Sequence, residues 1–307
     1  MYTCNEIIFS ATTQCNLHCP HCFVSRQTQK LSIDDAKSLI DSCLNYKREN
    51  CTLEKIGFTG GEPFLYLDFI CEVTKYAKEK DLMFDRIMTN GDWWKSEEEL
   101  KEKLTAVYNS GFDGKIGLSY DIFHAQTKER ILTFIQNVYK IWNDYSTVEI
   151  SVAVERKSSK AENQILKNIN EIQCSLQKEF GQIFLPVYKI KQSFTSDNWH
   201  KDFTWFKEDY CASTGNIFFV HSNGNIAPCC GFANENKELF IGTIKDSCDT
   251  LMNNAETNVM VQNCFTKGLV AVRKEMQKSG VKFHGKTKDT CMFCDFVCKK
   301  NTSTSKE

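Results

Sequence analysis

Short apolar runs alternate with segments of helical period through about the first 190 residues. "KIGFTG" (55–60), "DRIMTN" (85–90), "KIGLSYD" (115–121) and "VEISVAV" (148–154) have the length and apolar character of buried strands. Helical segments fall between them. Ser32 can cap the first, whose Ala36, Leu39, Ile40, Cys43 and Leu44 share one face. Ser96 opens another, with Glu99 placed for a capping box and Gly111 just past the end. Repeated strand–helix units imply a parallel sheet with right-handed crossovers. Sites on such sheets gather at the carboxyl ends of the strands. Gly60-Gly61-Glu62, Asn90-Gly91 and Ser119-Tyr120-Asp121 stand there.

The pattern changes after about residue 200. "NIFFVHSNGNIAPCC" places two apolar stretches around Asn-Gly, the signal of a two-residue hairpin turn. Pro228 marks the second strand as an edge or as ending. The remainder is polar, helical in places, and ends in "DTCMFCDFVC". A domain boundary is expected near 200–208, giving domains 1–204 and 205–300, with a disordered tail over 301–307.

Composition narrows the function. The 307 residues are 41% hydrophobic and 25% charged, the balance of a soluble globular protein. Thirty-eight basic residues against 39 acidic ones give a net charge of −1, which argues against a nucleic-acid surface. No apolar run approaches the roughly 20 residues of a membrane span, and no signal peptide is evident, so a cytoplasmic location is expected. Sixteen cysteines are the anomaly. In a cytosolic chain of this size, clustered cysteines point to metal or redox chemistry.

Three of them form "TQCNLHCPHCF", Cys15-x3-Cys19-x2-Cys22. Iron–sulfur clusters are usually held by four thiolates, so a cubane bound by these three keeps one iron open for a small molecule. Zinc is the alternative, with His18 or His21 as fourth ligand, because structural zinc has a closed set of four. Cys43 and Cys71, among apolar residues of predicted helices, read as small hydrophobes.

The cysteine loop after the first strand and "FTGGEPF" at the end of the second together resemble the radical S-adenosylmethionine (SAM) enzymes. The resemblance covers about residues 5–195. It implies an α/β fold, a partial (β/α)6 TIM-like barrel followed by a small C-terminal auxiliary-cluster domain with a β-hairpin. It also implies that Cys15, Cys19 and Cys22 bind a 4Fe–4S cluster whose open iron chelates SAM. Gly60 and Gly61 would let backbone approach SAM, and the turn's carbonyls and Glu62 would receive its ammonium group. His21 and Phe23 flank the third cysteine, where the family contacts adenine. Asn90, Ser119 and Asp121 stand where it contacts ribose and the methionyl part.

Cys211-x12-Gly224-x4-Cys229, with Cys291-x2-Cys294 downstream, resembles the auxiliary domains (SPASM and twitch types) of many such enzymes. These four cysteines would close a second 4Fe–4S cluster. Cys298 is a further candidate ligand, while Cys248 and Cys264 read as structural. Neighbouring side chains of an extended segment point to opposite faces, so Cys230 is left over beside Cys229. "TNGDWW", "LSYDIFH" and "APCC" are similar to the radical SAM peptide epimerases, which convert L-residues to D-residues in ribosomally made peptides. That similarity implies that Cys230 returns a hydrogen atom to a Cα radical, and Asp121 and His124 could position the peptide. A ribosomally synthesised precursor peptide and an external electron donor, such as flavodoxin or ferredoxin, would be the partners. Few residues precede Cys15, so the peptide is expected to be captured by the barrel mouth, the auxiliary domain or a partner protein. The competing readings are a maturase forming thioether or carbon–carbon crosslinks, and an iron–sulfur electron carrier or redox sensor.

Overall fold

The structure is a computed structural model and describes residues 2–22, 24, 28–48, 51–154, 159–191, 199–207 and 216–304. The chain divides into two compact units. One comprises Phe9–Lys37 and Lys55–Gln192; the other comprises Met1–Ile8, Ser38–Glu54 and Ser193–Glu307.

The first unit holds the strand–helix repeats. Its elements are β1 (Glu6–Ser10, shared between the units), α1 (Ile33–Asn45, likewise shared), β2 (Lys55–Thr59), α2 (Leu67–Glu79), β3 (Met83–Thr89), α3 (Glu97–Asn109), β4 (Lys115–Ser119), α4 (Lys128–Trp142), β5 (Val148–Val154), α5 (Lys160–Phe180) and β6 (Val187–Lys191). The strands lie in the order β6-β5-β4-β3-β2-β1, and β2 to β6 are all parallel. Each strand neighbours the next in sequence, with no reversal of order. This is the α/β succession of a partial (β/α)6 barrel, not of a doubly wound sheet. The buried runs are apolar as expected: Ile56, Phe58, Ile87, Ile116, Leu118, Val148, Ile150 and Val152 are inaccessible or nearly so. α2, α3, α4 and α5 each pack on the next.

Helix starts follow the sequence signals. Ser32 Oγ accepts from Asp35 N–H, and Ser96 Oγ from Glu99 N–H. Glu99 reaches back to Lys95 N–H at 2.8 Å, one residue beyond the usual capping-box partner.

The second unit carries β7 (Ile217–Val220), β8 (Asn225–Ala227), β9 (Gly242–Thr243), α6 (Cys248–Thr257), α7 (Val259–Gln262), a π-helical turn (Asn263–Lys267), α8 (Leu269–Lys278) and α9 (Thr290–Thr304). β7, β8 and β9 pair antiparallel in that order. The β7–β8 loop is one residue longer than the Asn-Gly signal suggested. His221 N–H pairs with Asn225 O and Gly224 N–H with His221 O, leaving Ser222, Asn223 and Gly224 in the loop. Gly224 takes φ +87°, the left-handed position that closes a three-residue hairpin.

The second unit also claims the start of the chain and the second half of α1, where a single boundary at 204 was expected. Packing explains this. Cys248 N–H donates to Ser42 Oγ at 2.8 Å, Cys4 N–H to Cys51 Sγ at 3.2 Å, and Arg48 pairs with Glu256 at 2.5 Å. α9 runs to Thr304, so its last turn occupies part of the stretch expected to be a disordered tail. Among the described residues, no helix is long and apolar enough to cross a membrane.

Candidate functional site

In the first unit, the segment after β1 is laced to the turn after β2. Gly61 N–H donates to Thr12 O at 2.6 Å and Glu62 N–H to Gln14 O at 2.8 Å. A Cβ on Gly60 would stand 2.5 Å from Thr12 O, and one on Gly61 2.4 Å from Gln14 O. The two glycines therefore permit close approach to the backbone that leads into Cys15. This approach is visible in the chain itself, beside the approach to SAM implied by the resemblance.

Glu62 is fully buried. Its Oε1 accepts from Phe64 N–H at 3.1 Å and Thr89 Oγ1 at 2.8 Å, and its Oε2 from Asn90 N–H at 2.8 Å. Burial pushes its carboxyl up to about 7, against the pull of these donors. Three of about four acceptor positions are taken, so Glu62 first braces the turn against the end of β3.

Asn90 carries the brace to the cysteines. Its Nδ2 lies 3.6 Å from Cys15 Sγ and donates to Asn16 Oδ1 at 3.0 Å. Its Oδ1 accepts from Asp92 N–H, and its backbone carbonyl from Gln126 Nε2. Leu17 N–H also points at Cys15 Sγ, at 3.4 Å. Ser119, half-buried at the end of β4, pairs across the sheet with Ser151.

Asp121 is 2% exposed. Its Oδ1 accepts from Phe123 N–H, His124 N–H and His124 Nδ1, the last at 2.8 Å, and its Oδ2 from Ala153 N–H. Against the burial that raises it, the His124 ring and these backbone groups hold its carboxyl below the usual range. Burial lowers the His124 ring in turn, but Asp121 and then a hydrogen bond to Cys19 raise it to about 9. His124 is thus a cation set beside a cysteine sulfur. The pair was expected to position a peptide. The pair is buried, mutually hydrogen-bonded and in contact with Cys19. His21 lies among these rings, 4.7 Å from Phe123 and 5.3 Å from His124 between centroids, and its Nδ1 is buried without a partner. Phe23 lies outside the described residues.

These features fit an iron–sulfur cluster on the loop. Cys15 and Cys19 are half-buried and Cys22 is exposed. Hydrogen-bond donors converge on Cys15, and a cationic ring touches Cys19, which is what anionic sulfur ligands require. Cys15, Cys19 and Cys22 would hold such a cluster, and three thiolates would leave one iron for SAM.

In the second unit, β8 ends just before Pro228 and the two adjacent cysteines diverge. Cys229 is buried and Cys230 exposed. Asn234 Nδ2 holds the Cys229 carbonyl at 3.0 Å. Asp289 Oδ1 accepts from Cys291 and Met292 N–H and starts α9. Cys291 and Cys294 follow on its first turn and Cys298 one turn later, all on neighbouring faces. Cys229, Cys291 and Cys294 line one cavity. Cys264 lines it too, with its Sγ 3.7 Å from Cys294 Sγ. The Cys264 and Cys298 sulfurs, with burial, push the Cys294 thiol well above its ordinary range. Cys211 lies outside the described residues. Cys264, read from the sequence as structural, stands alone in "QNCFT" with no spacing signal to mark its contact with Cys294.

Comparison with known proteins bears on this geometry. Residues 9–142 match the radical SAM superfamily. The putative peptide biosynthesis protein YydG of Bacillus subtilis (strain 168) is 27% identical over 220 residues, covering 71% of this chain and 66% of that protein. The cysteine-type anaerobic sulfatase-maturating enzyme of Clostridium novyi (strain NT) is 30% identical over 113 residues, covering 31% of this chain and 29% of the enzyme. The match thus spans under two thirds of either relative's length. Streptococcus suis SuiB bound to S-adenosylmethionine aligns with TM-score 0.49 and 14% identity, covering 95% of this chain and 77% of that one. The matched stretch contains the three-cysteine loop, the Gly60-Gly61-Glu62 turn and the strand ends at Asn90 and Asp121, so residues 9–142 form a radical SAM domain.

Proposed function

We propose that the protein is a radical SAM peptide epimerase, converting L-residues to D-residues in a ribosomally made peptide. The observation that carries this reading is the divergence of Cys229 and Cys230, one buried against the sulfur-lined cavity and one exposed. The likeness to a putative peptide biosynthesis protein supports a peptide substrate.

When bound, the loop cluster and SAM supply a 5′-deoxyadenosyl radical that takes the Cα hydrogen of an L-residue. The Cys230 thiol then gives its hydrogen atom to the opposite face of that carbon. The S–H bond breaks, the Cα–H bond forms, and the sulfur is left one electron and one proton short. Its neighbour Cys229 would anchor an auxiliary cluster able to return the electron, supplied from outside by a donor such as flavodoxin or ferredoxin, and solvent would return the proton. In the first unit, Glu62, Asn90 and the Asp121–His124 pair hold the loop cysteines in place.

The test is anaerobic turnover in heavy water with a precursor peptide encoded by a neighbouring gene. Thiol hydrogens exchange with solvent, so each D-residue should carry deuterium and add about one mass unit. Chiral amino-acid analysis should find D-residues, and Cys230→Ser should abolish them while SAM cleavage continues. A product two hydrogens lighter would replace epimerisation with crosslinking. Absence of any SAM cleavage would leave only electron transfer or redox sensing.

A further inference from the structure

We propose that the free edge of β6 captures the substrate peptide as an added strand, holding an extended, apolar segment of it beside the residue that reacts. This rests on the reading that the substrate is a peptide. It deepens that reading by naming the surface that holds the peptide and the backbone groups that do so.

β6 ends the sheet, and among the described residues no strand pairs with its far side. Ile150 N–H donates to Pro186 O at 2.8 Å, and Ile150 stands level with Val187. In a parallel ladder, alternate residues turn their backbone groups to alternate sides. Pro186, Tyr188 and Ile190 therefore face β5, while Val187 and Lys189 turn N–H and C=O to the open side. Parallel strands are normally covered and exposed edges are normally blunted. This edge is bare. Val187, Tyr188, Lys189 and Ile190 are exposed, and Phe184, just before the strand, is 78% exposed. Phe184, Val187, Tyr188 and Ile190 make up half of the exposed large apolar side chains among the described residues, so they form a patch and not a scatter.

Position and charge select the occupant. Tyr188 stands level with Ser151, and Ser151 with Ser119. Residues level with one another across a sheet project from the same face, so Tyr188 belongs to the row that leads to Ser119, where SAM is expected. Ile190 stands level with Ala153, whose N–H holds Asp121. The edge thus continues outward from the candidate site. An extended peptide offers N–H and C=O groups at every second residue, which match those of Val187 and Lys189, while its apolar side chains rest beside Tyr188 and Ile190. Binding energy gained there, away from the reacting carbon, helps to hold that carbon in place. A second copy of this chain fits less well. Lys189 is the middle residue of β6, so full antiparallel overlap of two such strands would set it directly opposite the same lysine of the other copy.

The test uses the precursor peptide encoded by a neighbouring gene, made synthetically with one backbone N-methyl group at a time, and its binding to the wild-type protein by fluorescence anisotropy. Each methyl removes one N–H. Affinity should fall at alternate residues of one stretch, by up to about tenfold each, the scale of one lost hydrogen bond, and stay at the parent level at the residues between. Amide hydrogen exchange at Val187 and Lys189 should slow when the unmethylated peptide binds. Lys189→Pro removes the outward N–H of β6 without touching the ladder to β5, so it should weaken the unmethylated peptide by a similar factor, whereas Lys189→Ala, which keeps that N–H, should not. A methyl scan without alternation, or unaltered exchange at both amides under saturating peptide, overturns the proposal. Should Lys189→Pro fail to fold, the scan and the exchange on the wild-type protein decide. Protection of the same amides without peptide, rising with protein concentration, would assign the edge to a second copy and overturn the proposal too. A wild type that makes D-residues while the scan is flat loses only the docking edge. Alternation in the scan with no D-residue formed loses only the epimerase reading.

Discussion

Cys15, Cys19 and Cys22 come from one short loop, whereas the cysteines that share the late cavity are drawn from residues 229 to 294. The supports differ as well. Around the loop they are polar and directed: Asn90 and Leu17 donate toward Cys15, and the Asp121-held His124 ring touches Cys19. Around the cavity they are apolar walls and a helix start. Even the glycines act differently. A Cβ on Gly61 would strike backbone, the carbonyls of Gln14 and Thr13, while a Cβ on Gly231 would strike a ligand candidate itself, Cys291 Sγ, at 2.8 Å. A loop that would offer an open site to SAM thus stands in a rigid polar frame, and the cavity proposed to enclose a second centre is formed by packing.

The largest effect should follow from removing the loop ligands. Replacing Cys15, Cys19 and Cys22 by Ala should abolish SAM cleavage while about four irons remain in the second unit. Measured 5′-deoxyadenosine at the wild-type level would break the comparison, because the loop would then not be the open centre.

Next comes Gly61→Ala. The new methyl would stand 2.4 Å from Gln14 O and 2.6 Å from Thr13 O, both backbone atoms that cannot swing aside. The strain and the weakened hydrogen bonds to Thr12 and Gln14 should cost about 3 kcal/mol or more. Chemical denaturation should show a lower midpoint, and the reconstituted loop should hold less iron. An unchanged midpoint would mean that the turn and the loop are not laced as described.

Glu62→Ala should cost a comparable amount. It strands Phe64 N–H, Thr89 Oγ1 and Asn90 N–H without their acceptor, at about 1–3 kcal/mol for each group that water cannot reach. Glu62→Gln keeps an acceptor for Phe64 and Thr89 but turns an amide donor toward Asn90 N–H, so it should fall between Ala and wild type. If SAM affinity drops while the unfolding midpoint of Glu62→Ala stays put, the carboxylate serves the ligand and not the frame.

The contrast also explains what could be seen in the sequence. The strands at 55–60, 85–90, 115–121 and 148–154 were legible because burial on both faces makes each an apolar run, and they appear within two residues at each end. The loop cysteines were legible because one short segment must supply its ligands at fixed spacing. Cys229 and Cys230 were separable because alternation along an extended segment is local. Other features were not legible. The three-residue hairpin at Ser222–Gly224 hides behind an Asn-Gly pair that also fits a shorter turn. The brace from Glu62 to Thr89 and Asn90, and the reach of His124 to Cys19, are contacts between strand ends far apart in sequence. Cys264 approaches Cys294 across a separation of 30 positions, which no spacing rule encodes. Local geometry writes itself into sequence, and tertiary assembly does so only where a motif happens to mark it.

Gly231→Ala should have the smallest effect on folding and is therefore a sharp probe of the cavity. Its methyl would meet one side-chain atom, Cys291 Sγ, and a thiol on the first turn of a helix can rotate away. The cost to the protein without its cluster should be under about 1 kcal/mol, the scale of one off-rotamer side chain. Rotation takes Cys291 out of the place it holds beside Cys229, so the price appears in the metal centre instead. Iron in the background lacking the loop cysteines should fall, while the unfolding midpoint without iron barely moves. The same substitution at Gly61 should show the opposite order, with stability lost first. If Gly231→Ala lowers the midpoint as far as Gly61→Ala does, the second centre is held by backbone lacing too, and the distinction between the two regions disappears.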